Sequence, residues 1–266
     1  VILVDNAAMR PGLKRALKIV AIVLLVLVAV PAALIGSAFL GTSPIEDGKE
    51  LGDAVRLVKD GIVTIGVIDL GGGKVALVDA GNDKEGKAIL AELRRRGLGP
   101  DAVQAVLLTH GHGDHIAGCH LFPSASILAL AGDVGLAEGR EGMKSPLGKI
   151  VGAHPTGVKI TRALADGETL TLGSRTVRVF AIPGHTAGSA AYLVNGVLFL
   201  GDSAGSSKDG KILPAPWLFS DDPAQNRASL KALAERLRPE ADGVKFLVPA
   251  HSGTLQGLAP LAAFSG

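Results

Sequence analysis

Six consecutive residues, His110-Gly111-His112-Gly113-Asp114-His115, constrain this chain more than any other feature. Three imidazoles and a carboxylate in so short a run supply the nitrogen and oxygen donors that zinc prefers. The run follows residues 103–109, a short apolar stretch that reads as a buried strand, so the donors sit on the loop at that strand's end. Gly111 and Gly113 free the backbone to curl, so that alternate side chains can converge. A polar loop with incidental histidines is the bland alternative. It gives no reason for donor types to repeat so densely after a buried strand.

The surrounding pattern is that of an α/β domain. Residues 62–70 and 75–78 read as strands joined by a turn at Gly71-Gly72-Gly73. Residues 84–96 have helical spacing, with Ile89, Leu90 and Leu93 on one face and Gly97 as the stop. A helix is predicted over 114–121 and further strands over 127–130, 169–172, 176–182, 190–194, 197–200 and 245–248, with Asn195-Gly196 as a hairpin turn. Residues 223–238 read as a helix capped by Asp221 or Asp222. Residues 132–160 lack periodicity and read as a mobile loop or short helices at the mouth of a site. Aromatic residues are 3% of the chain against 47% apolar, so the core must be built from Ala, Val, Leu and Ile. A net charge of +2, with few aromatic stacking groups, argues against a nucleic-acid partner. The single cysteine, Cys119, excludes an internal disulfide and reads as a small buried side chain.

The histidine run resembles the H-x-H-x-D-H signature of the metallo-β-lactamase superfamily. Four further motifs of that family are present in order along the chain. They are Val78-Asp79-Ala80-Gly81, Pro183-Gly184-His185-Thr186-Ala187-Gly188-Ser189, Phe199-Leu200-Gly201-Asp202 and Pro249-Ala250-His251-Ser252-Gly253. The likeness spans roughly residues 60–265 and takes in five of the seven histidines. It implies a four-layer αββα sandwich with two metals at one edge. It also implies that His110, His112 and His185 hold one zinc, that Asp114, His115 and His251 hold the other, and that Asp202 bridges them. A water shared by the two metals would be the nucleophile, and Asp114 is the carboxylate singled out as catalytic. The same donors suit iron or manganese. Asp79 reads equally as an orienter of the histidine loop and as a turn-forming residue before Gly81. Trp217, Phe219 and His154 are candidates for a pocket around a small-molecule substrate, whereas His120 and Tyr192 read as surface or packing residues.

Residues 19–40 are almost wholly apolar and are preceded by Arg10, Lys14, Arg15 and Lys18. The expectation is a membrane anchor at 19–41, with a basic cytoplasmic stretch at 1–18, a linker at 42–60 and the hydrolase domain at 61–266 outside an inner membrane. A cleaved signal peptide ending near Gly36-Ser37-Ala38, with secretion of the remainder, is the competing expectation. Met9, just before the basic cluster, is the expected start of translation.

The expected chemistry is hydrolysis of an ester, lactone, thioester or amide-type bond. Only fifteen residues follow His251, which argues against a helical C-terminal domain of the glyoxalase II type. Two readings lie outside hydrolysis: an iron-dependent oxygenase like the persulfide dioxygenases, which needs only the first donor set, and a membrane-tethered binding module without catalysis.

Overall fold

The computed structural model describes residues 11–37 and 39–266, with the backbone alone described at 11, 31, 34 and 35. Met9 and Arg10, and Ala38 of the candidate cleavage site, lie outside the described residues. The chain forms two compact units, residues 1–40 and 41–266.

Among its described residues, the first unit contains the helix α1 (Pro11–Ser37). The expected membrane span is corrected here. Among the described residues, no helix is long and apolar enough to cross a membrane. Lys14, Arg15 and Lys18 lie within α1 itself. These three cations fall within the first eight residues of the helix.

The second unit is built on two sheets. The first runs in chain order: β1 (Glu50–Leu51), β2 (Val55–Asp60), β3 (Val63–Gly71), β4 (Lys74–Val78), β5 (Val103–Leu107), β6 (Ser126–Leu130) and β7 (Arg162–Leu164). Pairing is antiparallel up to β4 and parallel from β4 to β7. The parallel half is closed over by α2 (Lys87–Arg95), α3 (Gly113–Ile116) and α4 (Val134–Ala137) in the connections. The stretch 42–60, read from sequence as a linker, carries β1 and β2. Val55, Leu57 and Val58 are buried, and β2 pairs with β3 over six residues. Residues 132–160 hold short helices, α4 and α5 (Gly148–Val151).

The second sheet contains β8 (Thr169–Leu172), β9 (Arg175–Ala181), β10 (Ala190–Val194) and β11 (Val197–Gly201). A small β12 (Ala204–Ser206) and β13 (Ile212–Pro214) ribbon follows, then α6 (Pro223–Leu237), β14 (Phe246–Pro249), β15 (Leu255–Gln256) and α7 (Ala259–Ala262). The sheet order is β15-β14-β11-β10-β9-β8. Asp222 caps α6, accepting from the amides of Ala224 and Gln225 at 3.0 and 2.9 Å, and Pro223 takes the first helical position.

Three separate cores make this a four-layer sandwich. Alternate residues of the strands face opposite ways. On β4, Ala76 and Val78 join the central core between the sheets, while Val75 and Leu77 join an outer core under Ile89 and Leu93 of α2. On β9 and the residue that follows it, Val177 and Val179 face inward, while Phe180 and Ile182 face outward against Leu230, Leu233 and Leu237 of α6. The α/β sandwich expected from sequence is therefore present, without the membrane helix in front of it.

The two sheets approach closely where Phe199 of β11 lies against Gly66 of β3. A Cβ at Gly66 would sit 2.5 Å from the Phe199 ring, and that ring is buried. Gly66→Ala is expected to destabilise the domain by about 1–3 kcal/mol through overpacking. A thermal melt should fall by several degrees, and an unchanged melt would contradict the close contact.

Candidate metal centre

The ends of β4, β5, β9, β11 and β14 meet at one edge of the sandwich. β4 and β5 are parallel, as are β11 and β14, so their carboxyl ends open in common directions. All seven predicted ligands converge there. His110, His112, His185 and Asp202 offer donor atoms within 4.8 Å of one another, and Asp114, His115 and His251 form a second such group. His185 Nε2 lies 3.3 Å from His110 Nε2 and 3.1 Å from His112 Nδ1. Asp202 touches both groups. Its Oδ2 is 3.6 Å from His185 Nε2 and 3.0 Å from His251 Nε2, and its Oδ1 is 3.2 Å from His115 Nε2. Asp114 Oδ2 is 3.3 Å from His251 Nε2.

The hydrogen bonds behind the ligands set which ring nitrogen faces the centre. Thr109 Oγ1 donates to Asp79 Oδ2 at 2.8 Å, so at 3.1 Å it accepts from His110 Nδ1. Ser220 Oγ donates to the Pro216 carbonyl at 2.8 Å and accepts from His185 Nδ1 at 3.3 Å. His115 Nδ1 donates to Asp79 Oδ2 at 2.8 Å, and His251 Nδ1 donates to the Ile62 carbonyl at 2.7 Å. In each neutral ring this leaves the Nε2 lone pair aimed inward, as a metal ligand requires.

The donor set fits a pair of cations. His110 Nε2 and His185 Nε2 face one another, His112 Nε2 is buried without a hydrogen-bond partner, and His115 Nε2 and Asp202 Oδ1, though 3.2 Å apart, form no well-aligned hydrogen bond. Buried polar atoms left this way are costly unless something compensates them. Protonation follows the same logic. Burial, with the neighbouring imidazoles, pushes His110 well below its ordinary range, and burial holds His112 and His185 down to about 3 and about 4. Burial lowers His115 and His251 as well, but there it is outweighed by the carboxylates around them, Asp202 first. His115 is raised well above normal and His251 to about 10. Burial likewise opposes ionisation of Asp114, but His115 and His251 pull it down to about 2. Without metal, the second group therefore holds protons where cations would sit.

Asp79 acts as the orienter that sequence left balanced against a turn role. Its carboxylate accepts from the Thr109 amide at 2.7 Å, the Thr109 hydroxyl and the His115 ring. It does so with φ at 63°, a left-handed conformation unusual outside glycine. Gly201, before Asp202, has φ of 53°, and a Cβ there would sit 2.6 Å from Thr109 Oγ1.

The other candidates are not members of either donor group. His154 is exposed and belongs to neither. Trp217 is 58% exposed on the turn Trp217–Phe219, which runs directly into Ser220 behind His185. His120 is exposed and bonded to the Ala117 carbonyl. Cys119 is buried, and burial pushes its thiol up to about 12. Sequence reading missed Thr109, Ser220 and Asp133. Only Thr109, beside the histidine run, carried any local signal.

A strand-end cluster of histidine and aspartate donors on an αββα sandwich defines a metal-binding protein. The chain belongs to the metallo-beta-lactamase superfamily, whose sequence model matches residues 58–251. A hydroxyacylglutathione hydrolase of Acidiphilium cryptum (strain JF-5) is 37% identical over 136 residues, covering 51% of this chain and 46% of that protein. The hydroxyacylglutathione hydrolase of Cupriavidus metallidurans is 35% identical over 173 residues, covering 61% and 55%. The chain thus spans about half the length of the curated relatives it matches. Among solved structures, a B3 metallo-beta-lactamase with an active-site glutamic acid superposes with a TM-score of 0.62 at 20% identity, over 86% of this chain and 90% of the other. At that identity the likeness speaks for the fold alone.

Proposed function

We propose that this chain is a two-zinc hydrolase of small thioesters, with esters and lactones as secondary substrates. The observation that carries the reading is Asp202, which reaches ligand nitrogens of both donor groups. His110, His112 and His185 would hold one cation and Asp114, His115 and His251 the other, with Asp202 between them. When bound, such a pair supplies a water acidified toward about pH 7 and a Lewis acid for the scissile carbonyl. The chain's own groups then do the rest. Asp79, Thr109 and Ser220 fix the imidazole tautomers. Asp114, ionised at neutral pH and with its side chain 27% exposed, is the carboxylate placed to take a proton from the attacking water and pass it to the leaving group. A thiolate leaves more readily than an alkoxide, and the hydroxyacylglutathione hydrolases among the relatives are the support for preferring thioesters. An oxygenase using the first group alone would leave Asp114, His115 and His251 without a task.

The test is a panel on zinc-loaded protein: a hydroxyacyl-glutathione thioester, a simple acyl thioester, an aryl ester, a lactone and a β-lactam, with metal content measured on the same sample. Asp114→Ala is expected to lose about one metal equivalent and most turnover. Wild-type turnover in that variant, or one iron per chain in the native protein, would sink the reading.

A further inference from the structure

Asp133 lies outside both donor groups, yet its carboxylate joins the loops that carry the first one. It closes the turn Ala131–Asp133 directly after β6, and it is 1% exposed. Its Oδ2 accepts from the Gly111 amide and from Thr186 Oγ1, both at 2.8 Å, and its Oδ1 accepts from the Gly188 amide at 2.7 Å. Gly111 stands between His110 and His112, and Thr186 follows His185. One carboxylate therefore ties the β5 loop of the first sheet to the β9–β10 loop of the second, and these two loops carry the three histidines of the first group.

The packing around it leaves no slack. A Cβ at Gly188 would sit 2.3 Å from the Asp133 amide nitrogen, one at Gly132 would be 2.9 Å from the Ala187 carbonyl oxygen, and one at Gly111 would be 2.6 Å from the Ala137 amide nitrogen. Asp79 has the matching position on the other side, bonded to His115 of the second group. None of Asp133's three bonds goes to a residue of that second group. A fully buried carboxylate satisfied by two amides and a hydroxyl is a costly way to fill space, and its yield is a fixed loop geometry.

We propose that Asp133 is a positioning residue that sets the separation of the His110–His112 loop from His185, and through it the affinity of the first metal position alone. This rests on the two-metal reading above.

The experiment measures zinc affinity by chelator competition in two backgrounds. Asp114→Ala weakens the second position and reports on the first, whereas His112→Ala does the reverse. Asp133→Asn keeps the size of the side chain but replaces one acceptor oxygen by a donor. It is expected to weaken zinc binding about 10–100-fold in the Asp114→Ala background, the usual cost of losing a partner behind the ligands. It should leave affinity unchanged in the His112→Ala background. Thr186→Val removes one donor and should shift affinity the same way by less. It carries the comparison if Asp133→Asn fails to fold, as judged by circular dichroism. Equal weakening in both backgrounds, or none in either, overturns the assignment. Absence of zinc binding by the unmutated protein overturns the two-metal reading itself.

Discussion

Asp202→Asn is expected to lower kcat/KM by about 10³-fold or more, equivalent to about 4 kcal/mol of lost transition-state stabilisation. Metal content should fall from two equivalents toward one. Asn keeps the shape of the side chain but not its charge. Burial alone would favour a neutral acid at this position, yet His251, His115 and His110 hold Asp202 well below the usual carboxylate range. The carboxylate is thus an anion in contact with both groups. Two dications in adjoining sites repel, and a shared anion offsets that repulsion. An amide offers one acceptor oxygen and a donor NH₂, which faces a cation unfavourably. The ordering of effects is as informative as the size. Asp79 and Asp133 stand behind the ligands, and their loss is expected to cost about 10–100-fold in metal affinity or activity. If Asp202→Asn proved milder than Asp79→Asn, the bridging assignment would fail.

The parts of this site that sequence made legible are those where chemistry overrides packing. Five histidines and two aspartates beside glycines have no reason to stand at strand ends except to bind, and all seven converge. The two sheets were visible for a related reason, because runs such as 75–78 and 197–200 are too apolar and too short to be anything but buried strands. What sequence hid is what depends on partners far along the chain. Asp133 looks like any polar residue after a strand, and only the fold brings Gly111 and Gly188 to its oxygens. Ser220 sits 35 residues from His185 in a segment without periodicity. β2 was read as linker because Arg56 and Lys59 break up its apolar residues. Arg56 in fact reaches Glu92 of α2 at 3.2 Å, so its charge is paired across two elements. The N-terminal helix shows the opposite error. Its composition promised a span, but no helix among the described residues is long and apolar enough to cross a membrane, and Lys14, Arg15 and Lys18 lie inside the helix itself.

Stripping the metal is expected to cost the domain more thermal stability at pH 9 than at pH 6. Without metal, His251 has its proton affinity raised to about 10, and His115 is raised in the same direction. A histidine raised on folding adds stability that is complete below its unfolded value near 6.5 and is lost as pH climbs toward the folded value. Between pH 6.5 and 9 that loss is of order 3 kcal/mol for His251, or several degrees in Tm for a domain of this size. The groups shifted downward do not offset it. His112 and His185, at about 3 and about 4, lose their contribution only as pH falls below 6.5, and Asp114, at about 2, only in stronger acid. Metal binding follows the opposite course. A cation entering the second group must displace the protons on His115 and His251, so its apparent affinity rises with pH across the same window. Both effects widen the gap between zinc-saturated and chelator-treated protein as pH increases. Paired melts at pH 6, 7, 8 and 9 measure that gap, and a gap that stays constant or narrows would falsify the protonated second group on which the argument rests.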